Sequence, residues 1–194
     1  MKRLIGTILA LLLLCGCAGE RKAEETVFAM DTVMDLTLTG ARPEETLQEA
    51  ETLLQTLEAS LSRTRAGSDV SRLNEAAGEA VELDRTVCAL LSRAQELARA
   101  TDGAFDIAIG PVMDAWGFGS GGENYRVPDR EELAALLSLA DTSLIQLEND
   151  TVTLGQTGMV LDLGGVGKGY AAQAAAELLR DRGVESALLY LGGN

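Results

Sequence analysis

The chain has 194 residues, of which 46% are hydrophobic, with 16 Lys and Arg against 30 Asp and Glu, a formal charge of −14 and no histidine. The length suits one domain of ordinary size with a genuine apolar core. The absence of His removes the Ser-His-Asp and Cys-His catalytic sets and every His-based zinc site from these residues. The acidity excludes nucleic acid as a partner, because a phosphate backbone rewards Lys and Arg.

Residues 1–17 read MKRLIGTILALLLLCGC. Lys2 and Arg3 precede an apolar run from Leu4 to Leu14 that is too short to span a bilayer, the pattern of a targeting segment. The ending Leu14-Cys15-Gly16-Cys17 resembles a bacterial lipoprotein box, in which Cys17 is diacylated and becomes the mature N-terminus. Lipid there makes the protein anchored rather than spanning, on the outer side of the cytoplasmic membrane. An ordinary cleaved signal with an incidental Cys is the plainer reading of the same residues. With Cys15 lost alongside the signal and Cys17 lipidated, Cys88 stands alone, so no intrachain disulfide forms; among apolar helix positions it reads as a small buried hydrophobe. Residues 18–26, small and charged, read as a tether ahead of a domain that begins at Val27.

Val27 to Gly40 favours strand, centred on Val33–Leu38. Pro43 opens a helix on which Leu47, Ala50, Leu54, Leu57 and Leu61 make one apolar face. After a polar stretch, Asp84 caps a second helix with Val87, Leu90, Leu91, Ala94, Leu97 and Ala98 turned inward, ended by Gly103. Phe105–Ile109 is a short apolar piece leading into Gly110-Pro111 and a loop rich in Gly and aromatics. Asp129 with Glu132 predicts a capping box, and Asn149-Asp150 a hairpin turn. Val160–Leu163 reads as a strand, followed by a Gly-rich turn, a helix from about Gly169 to Arg182 and a last strand over Ser186–Leu191. The mixture predicts a single α/β or α+β domain over residues 27–194.

Two stretches carry chemistry. In Asp162-Leu163-Gly164-Gly165-Val166-Gly167-Lys168-Gly169-Tyr170, a Gly-rich turn at a helix start offers free N–H groups, a dipole end and the Lys168 charge, which together suit a phosphate or pyrophosphate. It matches neither a Walker A loop nor a dinucleotide fingerprint, and a tight structural turn fits the same residues. Phe105, Trp116, Phe118 and Tyr125 gather four of the seven aromatics near one loop, where they suit a flat ligand or plug the edge of the core. Asp106, between apolar neighbours, also fits a hydrogen-bonding structural role.

The ordered motifs Met30-Asp31-Thr32, Ser62…Ser68-x-x-Ser71-Arg72-Leu73-Asn74, Gly103-Ala104-Phe105-Asp106-x-x-x-Gly110-Pro111 with Trp116-Gly117-Phe118, Asp162-Leu163-Gly164-Gly165-x-Gly167-Lys168-Gly169-Tyr170 and Gly192-Gly193-Asn194 strongly resemble the ApbE family of FAD:protein FMN transferases. The resemblance implies a T-fold-like domain and an enzyme that moves FMN from FAD onto a Thr or Ser hydroxyl of a protein of an electron-transfer system, releasing AMP with Mg²⁺ as cofactor. An FAD-binding or FAD-hydrolysing lipoprotein without protein flavinylation is the alternative. Carried over by motif, Met30, Ala104, Phe105, Asp106, Asp162 and Lys168 match FAD-binding positions, and Gly165 the position whose carbonyl ligates the metal. The family's usual Met-Gly-Thr is Met30-Asp31-Thr32 here, and a frequent Tyr is Thr64. The resemblance puts the remaining metal ligands, an Asp and a Thr, beyond Asn194, so the expectation is a fragment that is inactive by itself. Asp114 and Asp141 are expected in surface or capping roles, and no general base is assigned.

Overall fold

The computed structural model describes residues 21–118 and 124–192. Strands β1 (Arg21–Ala29) and β2 (Thr32–Gly40) form an antiparallel hairpin paired from Arg21↔Gly40 to Ala29↔Thr32. Residues 21–26, expected as tether, are therefore in β1: every one of them has a partner on β2, although their side chains are largely exposed. Charge spoke for a solvated linker, but backbone pairing along an edge needs no apolar side chains. β2 alternates as a one-sided strand should, with Met34, Leu36 and Leu38 buried and Val33 and Asp35 exposed. β6 (Ser186–Leu191) joins its other edge antiparallel, so the sheet order is β1-β2-β6.

Helix α1 (Pro43–Leu61) lays Leu47, Ala50, Leu54, Leu57 and Leu61 on the inner face of this sheet and contacts α6 (Gly164–Asp181). Short α2 (Asp69–Glu75) is capped by Ser68, whose Oγ accepts the Ser71 N–H at 2.9 Å. A second antiparallel sheet, ordered β3-β5-β4, consists of β3 (Val81–Glu82), β4 (Ile145–Glu148) and β5 (Thr151–Leu154). Its β4–β5 turn puts Asn149 at φ 56°, as the hairpin reading required. Helix α3 (Arg85–Ala100) begins at the Asp84 cap and buries Val87, Cys88, Leu90, Leu91 and Ala94; Leu97, expected inside, is 39% exposed. Helices α4 (Gly110–Ala115) and α5 (Arg130–Leu137) and a 3-10 turn at Thr142–Leu144 complete the described elements. At α5 only half the expected capping box forms. Asp129 accepts the Glu132 N–H at 2.8 Å, while the Glu132 carboxylate turns to Arg126. The arrangement is α+β around one continuous core shared by both sheets, α1, α3 and α6.

Two local expectations change. Residues 160–163 do not make a full strand. They form a single parallel bridge, Ile109↔Val160, bounded by Gly110 N–H to Val160 O (3.0 Å) and Asp162 N–H to Ile107 O (2.8 Å). The segment is held from its other side by Asn74, whose amide donates to Leu161 O at 3.0 Å and accepts the Leu161 N–H at 2.7 Å. Nor is there a Gly-rich turn before the last helix. α6 starts at Gly164, so Gly164, Gly165, Gly167 and Gly169 are helical residues.

Candidate functional site

Four segments converge on a cleft of about 620 Å³, within the size range of small-ligand pockets. They are the β1–β2 turn (Met30, Asp31), the end of α1 and the loop after it (Glu58 to Arg65), the end of α4 with its following loop (Met113, Phe118), and the start of α6 (Asp162 to Lys168). Met30 and Asp31 both have positive φ, 52° and 57°, the geometry of a two-residue turn between twisted strands. Gly would enter this region without penalty, and Asp31 does so at a modest one. The turn is pinned by the Met30 N–H, which donates to Glu58 Oε1 at 2.9 Å.

The loop after α1 folds back on Ser62. Its Oγ accepts N–H groups from Thr64 (3.3 Å) and Arg65 (3.1 Å), and its carbonyl accepts the Ser68 hydroxyl. This closure sends the Arg63 side chain, only 13% exposed, into the floor of the site. There Nε meets Asp162 Oδ2 at 2.7 Å, Nη1 meets Asp114 Oδ1 at 2.8 Å and Nη2 donates to the Phe118 carbonyl at 2.9 Å. One guanidinium thus joins the α1 loop, α4, the aromatic loop and the start of α6.

At α6, Asp162 Oδ1 accepts the Gly164 N–H at 2.8 Å, while the N–H groups of Val166 and Gly167 bond to Leu163 O. Among the described residues this leaves the Gly165 N–H as the open donor of the first turn, so the backbone cradle is narrower than the glycine spacing suggested. Gly165 lacks a side chain for a packing reason as well: a Cβ there would lie 3.0 Å from the Phe105 ring. Lys168 follows on the next turn, half-buried and lining the cleft, with no ion-pair partner among the described residues.

Of the residues singled out from sequence, Met30, Asp162 and Lys168 are brought together in this cleft; Ala104, Phe105, Asp106 and Gly165 are not among its walls. Phe105 packs behind the start of α6. Asp106 is committed to structure: Oδ1 accepts the Ala108 N–H (2.7 Å) and the Thr142 hydroxyl (2.6 Å), and Oδ2 accepts the Thr142 N–H (2.9 Å). Asp141 caps the turn at Ser143, and Asp114 is an exposed surface residue as expected, its carboxylate meeting Arg63 at the edge of the site. Of the clustered aromatics, Phe118 lines the cleft and touches Tyr125 edge-on, with ring centres 5.4 Å apart. Sequence reasoning missed Arg63, Arg65 and Glu58. The one signal for Arg63 was its position beside Ser62 in a motif that already looked functional.

Comparisons with known proteins converge. The model of the ApbE family matches residues 30–194. A FAD:protein FMN transferase of Treponema pallidum is 35% identical over 200 residues, covering 94% of this chain and 55% of the relative. One from Klebsiella pneumoniae is 39% identical over 145 residues, 73% of this chain and 45% of the relative. Among solved structures, the flavinyl transferase ApbE of Pseudomonas stutzeri in its apo form superposes with a TM-score of 0.80 at 27% identity, over 90% of this chain and 57% of that one. The flavin transferase ApbE of Vibrio cholerae gives 0.82 at 24% identity over 90% and 58%, a likeness of fold. The chain spans about half the length of the curated relatives it matches.

Proposed function

This chain belongs to the ApbE family, and from that premise we propose that it is the FAD-binding part of an FAD:protein FMN transferase. The observation that carries the reading is the meeting of Met30 with Asp162 and Lys168, which come from two motifs far apart in the chain, in one cleft at the start of α6. Lys168, a cation with no ion-pair partner among the described residues, suits a pyrophosphate, and Phe118 offers an aromatic face for a flat ring. In the proposed reaction the hydroxyl oxygen of an acceptor Thr or Ser attacks the phosphorus of the FMN half. The bond from that phosphorus to the oxygen shared with AMP breaks, AMP leaves with that oxygen, and the hydroxyl proton passes to solvent. Binding in this geometry supplies orientation, the larger part of catalysis in phosphoryl transfer.

The described residues do not by themselves fit Mg²⁺. Gly165, the carbonyl ligand by resemblance, is inside α6; both Asp162 oxygens already accept hydrogen bonds; and among the described residues no three His, Cys, Asp or Glu side chains converge to hold an ion. The Mg²⁺ requirement of the proposed reaction therefore rests on the family resemblance. The same commitment of Asp162 favours the second reading, a protein that binds FAD without flavinylating a partner.

Incubation of the full-length gene product with FAD, Mg²⁺ and a small acceptor protein bearing a threonine motif, followed by mass spectrometry, separates the two. A gain of one FMN unit, lost without Mg²⁺, is the expected result. Bound FAD with an unmodified acceptor selects the second reading, and absence of FAD binding overturns both. We further propose a location outside the cytoplasmic membrane through lipid on Cys17, a residue outside the described part of the chain. Among the described residues no helix is long and apolar enough to cross a membrane. Cys17→Ser is expected to release the protein into the soluble fraction; persistent membrane fractionation would contradict the anchor.

A further inference from the structure

The ionisable groups lining the cleft balance one for one: Arg63, Arg65 and Lys168 against Asp31, Glu58 and Asp162. They differ in what they do. Arg65 and Lys168 have no ion-pair partner among the described residues, whereas each of the three Arg63 nitrogens meets a protein acceptor. Its fork faces two carboxylates, Asp162 in the wall and Asp114 behind it, and the Phe118 carbonyl besides. Asp162 is itself only 15% exposed, so water screens it weakly and its charge would be felt across the cleft.

We propose that Arg63 is the positioning residue that sets the ligand preference of this cleft: by pairing with Asp162 and holding Asp114 away on its other side, it offsets the Asp162 charge and lets an anionic, pyrophosphate-bridged dinucleotide approach Lys168. Without it, Asp162 stands uncompensated in the wall of the cleft that Lys168 also lines, with the Asp114 charge behind it, and Lys168 attracts Asp162 instead of the ligand. The same contacts fix the Phe118 carbonyl, so the aromatic wall and the α6 start are held in register by one side chain. This inference rests on the flavin-binding reading above and adds the origin of its selectivity for the charged form.

The test compares FAD, whose pyrophosphate is negative, with riboflavin, which carries the same ring and no phosphate. Each is titrated by flavin fluorescence against the wild-type chain, Arg63→Met, Arg63→Lys and the double variant Arg63→Met with Asp114→Asn, after thermal melts establish that each is folded. Arg63→Met is expected to weaken FAD binding by about tenfold or more while riboflavin binding changes by less than about threefold, the size of effect a desolvated charge contact gives. Asp114→Asn, which removes one of the exposed carboxylates, should recover part of the loss, and Arg63→Lys should keep the FAD-to-riboflavin ratio near that of the wild type. If Arg63→Met does not fold, the Lys and double variants carry the comparison. Equal weakening of both ligands would reduce Arg63 to a structural brace, and unchanged FAD affinity would remove it from the site; either overturns the proposal alone. A wild-type chain that binds neither ligand overturns the functional reading and this inference with it.

Discussion

Asn74→Ala is the substitution whose effect the structure defines most closely. Asn74 acts as a short backbone surrogate: its amide gives one hydrogen bond to Leu161 O and takes one from Leu161 N–H, across 87 positions of sequence. Leu161 is fully buried, so no water replaces either partner when the side chain is cut back to a methyl group. Leaving a buried backbone donor or acceptor unsatisfied costs about 1–3 kcal/mol each, which sets the loss at about 2–5 kcal/mol after partial relaxation. That is a large share of the roughly 5–15 kcal/mol available to a domain. Urea unfolding followed by circular dichroism should show a lower midpoint with an unchanged slope, since the surface exposed on unfolding is the same. The melting temperature should fall by about 4 °C or more. Because Leu161 adjoins Asp162, FAD affinity should fall as well. Stability within about 0.5 kcal/mol of the wild type would refute the claim that this clamp, rather than the single bridge to Ile109, holds the α6 approach in place.

Lys168→Ala should weaken FAD binding by about tenfold while leaving the melting temperature within a degree or so, because the side chain has no ion-pair partner to lose among the described residues; an unchanged titration would remove Lys168 from the anion site. Gly110→Ala should destabilise the chain by more than about 2 kcal/mol, because its Cβ would stand 2.6 Å from the Val160 carbonyl and force residues 160–163 away from α4; a stable variant would mean that this approach is looser than drawn. Asp84→Ala should cost about 1 kcal/mol at neutral pH as a lost helix cap. Hydrogen bonds from Thr86 hold the Asp84 carboxyl below its usual 3.8, so the native state favours the charged form. Its contribution is therefore complete above pH 3.8 and fades as pH falls through the lower folded value, and denaturant midpoints of wild type and variant should converge in that acid range. A gap independent of pH would show that the charge plays no part in the cap.

The features legible in the residues alone are those set by local physics. Helix α1 follows from Pro43 and the three- and four-residue spacing of its leucines; α3 follows from the Asp84 cap; the β4–β5 turn follows from Asn149, which tolerates positive φ. The ordered motifs identified the family because each is contiguous and can be read without knowing what it touches. Cys88 was legible as a buried thiol for the same reason. What tertiary structure decided involves partners far apart in the chain. The charged residues 21–26 become strand because β2 offers them a ladder, a gain in backbone hydrogen bonds that their side chains do not report. Helix α6 begins at Gly164, where Asp162, just ahead of the Leu163 N-cap, accepts the Gly164 N–H and Leu163 O takes the N–H groups of Val166 and Gly167; helix propensity alone would exclude so many glycines. Asp106 could be read from sequence as a ligand contact or as a structural hydrogen-bonding group, and only the fold shows Thr142, 36 positions on, bonding both of its oxygens. Arg63 looked like one more charge in a polar stretch until folding set it, nearly buried, between Asp162 and Asp114. A charged side chain taken out of water must find partners, and which ones it finds is fixed only when the distant segments pack.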